Sequence, residues 1–111
     1  MKQTSSLTRK MAATQEAHVA RGPKPKTQTY RIYVGVNDVA GITSLLAYNA
    51  LDATVYHARG SFAGAMEHAT VVERIGATLA DTLELARNLR TRYAQFSVLV
   101  TAHDTRVWSV E

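Results

Sequence analysis

The feature that most constrains the fold is a strand pattern that changes within two residues to a helix pattern. In "TYRIYVGV" the residues that alternate with polar or small ones are Tyr30, Ile32, Val34 and Val36. This period of two indicates a strand with one buried face. Asn37-Asp38 supplies a turn or helix cap, and apolar residues then recur at helical spacing over 39–51. The buried face of the strand therefore needs helices packed against it.

The same two patterns recur along the rest of the chain. A helix over 79–94 follows Thr78, whose hydroxyl is placed to cap it. Gly60 and Gly64, with small residues around them, indicate a hairpin or bulge. Strands are predicted over 53–62, 69–77, 96–102 and, after a turn at 103–105, over 106–110. The order β-α-β-β-α-β predicts an α+β, ferredoxin-like antiparallel sheet with two helices on one face and an extra C-terminal strand.

The net charge of +4 is unevenly distributed. Residues 1–27 hold six basic residues and one acidic residue, whereas residues 28–111 hold seven arginines and eight acidic residues, giving local balances of +5 and −1. Within the first part, "SSLTRKMAATQEAHVA" can form a capped helix, and the prolines of "RGPKPK" indicate a linker. We therefore predict a basic N-terminal tail and linker over 1–27 and an α+β domain over 28–111. The tail either binds nucleic acid through counterion release or is a solvated leader.

Composition excludes several classes of protein. Cysteine is absent, which excludes disulfides and thiol chemistry. No apolar run approaches the ~18 residues that a membrane span needs. The first residues, Met-Lys-Gln-Thr-Ser-Ser, lead into no apolar segment of the kind that a secretory signal requires. We expect a cytoplasmic protein that does not associate with membranes.

The first strand, "IYVGVND", resembles the first motif of the RNA-recognition domain, in which an aromatic residue stacks on a base. Tyr33 would be that residue. The second motif of the domain carries three aromatic residues on strand three. The nearest text, "RGSFAGA", has one aromatic residue and lies on strand two, and strand three has none. The stacking platform of that domain is therefore not predicted.

The sheet face turned away from the helices, here called the outer face, is the candidate binding surface. Arg31 and Tyr33 belong to it if Tyr30 and Ile32 face the helices. Depending on register, strand two adds either His57 and Arg59 or Tyr56 and Ala58, and strand three adds Glu73 or Arg74. Arginine beside an aromatic ring suits a phosphate and a base, and equally suits a subunit interface. The predicted ligand-binding set is Arg31, Tyr33, His57, Arg59 and Arg74.

No pattern in the chain predicts catalysis. The four histidines, His18, His57, His68 and His103, lack metal-ligand spacing, and no phosphate-binding loop or nucleophile motif occurs. Glu67, His68 and Glu73 could form an acid–base cluster, although a surface loop and a strand edge explain them equally well. We therefore expect a protein that is not an enzyme and that uses no metal or cofactor.

The pattern "YRIYVGVND", a helix, "TVYHARG", a third strand, a long helix and "QFSVLV" resembles small phage proteins of the first Thoeris anti-defence family. The resemblance covers about residues 29–101. It implies non-enzymatic capture of a cyclised ADP-ribose signal or a cyclic oligonucleotide, which counters host defence. We also expect a homo-oligomer, because an exposed sheet face needs cover. Two alternatives remain: an RNA- or DNA-binding module that uses the tail, and a structural or partner-blocking phage protein.

Overall fold

The structure, a computed structural model, describes residues 27–111. Its elements are β1 (Thr27–Val34), α1 (Val39–Tyr48), β2 (Thr54–Phe62), β3 (Ala65–Ile75), α2 (Leu79–Arg92) and β4 (Leu99–Thr105). The four strands form one sheet in the order β2-β3-β1-β4, and β3 pairs antiparallel with both of its neighbours. The predicted ferredoxin-like α+β fold is thus confirmed. The helix predicted in the basic tail lies outside the described residues.

The end of the chain differs from its prediction. His103 and Asp104 lie within β4 and not in a turn, and residues 106–110 form no strand. Asp favours turns in isolation. Here β4 is hydrogen-bonded to β1, and ladder partners on a neighbouring strand outweigh that local preference. The extra C-terminal strand is therefore absent from the described residues.

The core lies between the helices and one face of the sheet. On β1 and β3 it contains Ile32, Val34 and Val72, all with no exposed surface. The helices contribute Ile42, Leu46, Leu85, Ala86 and Leu89. Because side chains alternate along a strand, the neighbours of Ile32, Val34 and Val72 point to the outer face. This confirms the predicted face of β1.

The corner between β1 and α1 is held by one buried hydroxyl group on β3. Thr70 Oγ1 donates a hydrogen bond to the Val36 carbonyl oxygen at 2.7 Å and accepts one from the Asp38 backbone N–H at 3.0 Å. Thr70 has no exposed surface. Its hydroxyl therefore satisfies two backbone groups of the loop that would otherwise lack partners in the core.

Asp38 extends this contact to both helices. Its carboxylate caps α1 by accepting the Gly41 N–H at 2.9 Å, and it accepts the Tyr93 hydroxyl at 2.7 Å. Tyr93 is the C-cap of α2. The hydrogen bonds from Tyr93 and then Gly41 hold the pKa of Asp38 below its ordinary value. Burial, followed by the interaction with Asp38, raises the pKa of Tyr93.

The β2–β3 hairpin turns through two residues with left-handed backbone. Ala63 and Gly64 have φ angles of 51° and 82°. Positive φ at both central positions is the signature of a type I′ turn, which suits the twist of a two-residue hairpin. The hairpin predicted near Gly64 is therefore confirmed.

The chain divides into two compact units. Gln28–His103 contain the core and both helices, whereas Asp104–Glu111 belong to the second unit. Within the second, Ser109 is buried and Trp108 is about half exposed. Among residues 27–111, neither helix has the length and apolarity needed to cross a membrane.

We expect Thr70→Val to destabilise the protein by about 1–3 kcal/mol, because the isosteric change leaves the Val36 carbonyl and the Asp38 N–H buried without a partner. Urea unfolding followed by circular dichroism measures this. The matched control is Thr43→Val, at an exposed position of α1. Equal stabilities of the two variants would show that the hydroxyl does not hold the corner.

The lowered pKa of Asp38 predicts a pH-dependent role for Tyr93. Ionised Asp38 stabilises the fold fully above its ordinary pKa of about 3.9, and this contribution is lost as pH falls through the lower folded value. Tyr93→Phe removes one donor, so its stability deficit should be largest above pH ~5 and shrink below pH ~4. Urea midpoints across this range measure the deficit. Tyr48→Phe, at a position that is 89% exposed, is the control; a deficit in Tyr93→Phe that is independent of pH would contradict the assignment.

Candidate functional site

Strand register defines the composition of the outer face. Val71 on β3 pairs with Tyr33 on β1 and with Tyr56 on β2, so these three side chains form one row across the sheet. Glu73 pairs in the same way with Arg31 and Thr54, which forms the adjacent row. Two tyrosines and an arginine–glutamate pair therefore share the outer face.

Arg31 is the centre of this arrangement. Its Nε donates to Glu73 Oε2 at 2.7 Å, and its Nη1 lies 3.3 Å from His103 Nε2. The side chains of Arg31 and Glu73 are 34% and 22% exposed, so the pair is half-buried at the surface of the sheet. The hydrogen bond to Glu73 raises the pKa of Arg31, and the hydroxyls of Tyr56 and Tyr33 act in the same direction.

The arrangement places two tyrosine rings on the same face as a charged donor. Tyr56 is 37% exposed and Tyr33 is half-buried, whereas Val71 between them in the row is fully buried. A guanidinium group has five N–H donors, and the contacts to Glu73 and His103 use two of them. The remaining donors can bind an anion beside the tyrosine rings.

The five residues predicted to bind a ligand do not share one face. Arg31 and Tyr33 lie on the outer face as predicted. His57 pairs with Thr70, Arg59 with His68, and Arg74 with Tyr30, so all three lie on the face that carries the helices. Placing His57, Arg59 and Arg74 beside Arg31 is therefore wrong, and the structure selects the alternatives Tyr56, Ala58 and Glu73.

Arg74 instead lines a groove between the two helices. Its Nε donates to the Asp52 carbonyl oxygen at 3.2 Å. The groove has a volume of about 570 Å³ and is lined by leucines of both helices together with Arg74, Arg92, Asp81 and Glu84. Charges of both signs line it, so it offers no net attraction for an anion.

The proposed acid–base cluster does not form. Glu67 and Glu73 lie on the outer face, whereas His68 lies on the opposite face. Among residues 27–111, no group of three or more His, Cys, Asp or Glu side chains is placed to hold a metal ion. Sequence reasoning also missed His103, because Asp104 beside it indicated a turn.

Comparison with protein-family models, curated proteins and solved structures finds no match to this chain. The fold is therefore assigned from its own topology, and the candidate site from its own geometry.

Proposed function

We propose that the protein binds a small nucleotide on the outer face of the sheet and releases it chemically unchanged. The observation that carries this proposal is the strand register, which places Arg31, Tyr33 and Tyr56 together on the outer face of the sheet. Tyrosine rings stack on bases of any identity, and arginine forms bidentate hydrogen bonds to two oxygens of a phosphate. The same few side chains thus offer partners for both ends of a nucleotide.

Glu73 makes the site more selective than a bare arginine. Its carboxylate already engages Arg31 at 2.7 Å and lowers the attraction of the site for phosphate alone. A carboxylate also accepts hydrogen bonds from sugar hydroxyls and from exocyclic amino groups. A ligand that carries a phosphate, hydroxyl donors and a ring therefore matches the site better than inorganic phosphate does.

The biological role within this proposal follows from the resemblance to phage anti-defence proteins. The protein would act in the cytoplasm, and sequestering a cyclic ADP-ribose isomer or a cyclic oligonucleotide would interrupt host signalling. Intact release distinguishes this role from catalysis. Heating the complex and separating the products by chromatography should return the ligand without a hydrolysis product; detection of such a product would place the protein among enzymes.

The stacking part of the proposal is tested with Tyr56→Ala. Thermal shift against ADP-ribose isomers, cyclic dinucleotides and cyclic trinucleotides identifies the ligand, and calorimetry gives its affinity. Loss of a stacking ring costs about 1–3 kcal/mol per base, so we expect affinity to fall about 5- to 150-fold. Tyr48→Ala, on the exposed side of α1, should leave affinity unchanged. Equal affinities of the two variants would exclude the outer face.

The electrostatic part is tested with Glu73→Gln. This change removes the negative charge next to Arg31 but keeps the side-chain length, so ligands that carry phosphate without hydroxyl donors should bind several-fold more tightly. Arg31→Gln should weaken the same ligands by about 1.5–3 kcal/mol, and Arg87→Gln, on the exposed face of α2, is its control. Weaker binding of an anionic nucleotide to Glu73→Gln would show that the carboxylate contacts the ligand more than it opposes it.

Nucleic-acid binding through residues 1–27 is the alternative function. It predicts tight RNA or DNA binding that weakens steeply with salt and is lost when the tail is deleted. Tight RNA binding by the truncated protein, without affinity for any small nucleotide, would contradict both the nucleotide proposal and the proposal that the tail binds nucleic acid. Light scattering on the same samples tests the expected homo-oligomer.

A further inference from the structure

Two histidines on the β2–β3 hairpin face each other outside the candidate nucleotide site. His57 Nε2 lies 2.8 Å from His68 Nδ1, and the two rings stack with centroids 5.0 Å apart and an angle of 29° between their planes. Both side chains are exposed. They lie on the opposite face of the sheet from Arg31 and Tyr33, so the nucleotide proposal does not use them.

Strand register holds the two rings together. Because His57 pairs with Thr70 and His68 pairs with Arg59, the histidines are diagonal neighbours on one face of an antiparallel pair. Each ring therefore reaches the other from a separate strand. In this contact one ring nitrogen carries a hydrogen and the other supplies the lone pair.

The separation of the inner nitrogens suits a shared metal ion. Two imidazoles that bind one ion at about 2.0–2.1 Å each have their nitrogens about 2.8–3.4 Å apart, for ligand angles between square-planar and tetrahedral. The observed 2.8 Å is close to the lower end of that range. Both side chains are exposed, so their rings are free to rotate until both lone pairs point at one ion.

We propose that His57 and His68 form a two-imidazole site for a divalent transition-metal ion, namely Cu²⁺, Ni²⁺ or Zn²⁺. The metal takes the place of the shared hydrogen between His57 Nε2 and His68 Nδ1. The ring that donated this hydrogen then carries it on its outer nitrogen, so a neutral pair binds the ion without net proton release. Imidazole favours these three metals, and affinity should be highest for Cu²⁺.

The surroundings of the pair limit its affinity. Among residues 27–111 no third His, Cys, Asp or Glu completes the site, so water fills the remaining positions. Arg59 is the direct cross-strand partner of His68 and places a positive charge beside the ion. The site is consequently an exchangeable one that joins β2 to β3, and not a site on which folding depends.

The experiment titrates the full-length protein with Cu²⁺, Ni²⁺ and Zn²⁺ by calorimetry and follows histidine signals by NMR. Substoichiometric Ni²⁺ should broaden the ring signals of His57 and His68 before those of His18 and His103. His57→Gln and His68→Gln should each lower metal affinity at least about tenfold, because each variant keeps only one of the two imidazole ligands. His103→Gln and His18→Gln are matched controls that should leave it unchanged.

Arg59→Gln supplies the converse test. Removing the positive charge should raise metal affinity by a few-fold, although Arg59 is not a ligand. Metal should also raise the melting temperature of the wild type and of Arg59→Gln, but not that of His57→Gln. The proposal is overturned if no equimolar binding occurs at millimolar metal, or if binding persists in both His57→Gln and His68→Gln. Nucleotide binding, which uses the other face, is measured separately and does not enter this result.

Discussion

The fold depends on the hydroxyl group of Thr70, which joins the corner between β1 and α1 to the central strand β3. It bonds Val36 and Asp38 across more than 30 residues of chain. Asp38 in turn accepts hydrogen bonds from the first turn of α1 and from Tyr93 at the end of α2. These hydrogen bonds hold the loop through which the chain passes from β1, the strand that carries Arg31 and Tyr33, into α1.

Periodicity predicted β1 well because Tyr30, Ile32 and Val34, which alternate along it, are all buried on one face. On β1 the alternation that includes Ile32 and Val34 coincides with the core, and both helices begin at their predicted caps. β4 was misjudged because turn preference is a local property, whereas strand pairing involves a distant partner. Pairing with β1 outweighs the local turn preference of residues 103–105.

The site was less predictable because β2 has little burial to reveal its orientation. Within "TVYHARG" only Val55 packs against the core, while Tyr56, His57 and Arg59 are all exposed. The sequence pattern of β2 was therefore compatible with either orientation of the strand. Aromatic and basic residues occur on both of its faces. Val55 was the available signal: because it faces the helices, Tyr56 must lie on the outer face. One strand thus contributes to two separate candidate sites on opposite sides of the sheet.

The Asp38 cap of α1 also depends on the absence of a side chain at Gly41. A Cβ at position 41 would lie 2.7 Å from Asp38 Cγ, inside any tolerable contact distance. A Cβ at position 41 therefore forces the Asp38 side chain to move, which disturbs the hydrogen bonds of its carboxylate to the Gly41 N–H and the Tyr93 hydroxyl. Substitutions at positions 38, 41 and 93 therefore act on one carboxylate, and their effects on stability are coupled and not additive.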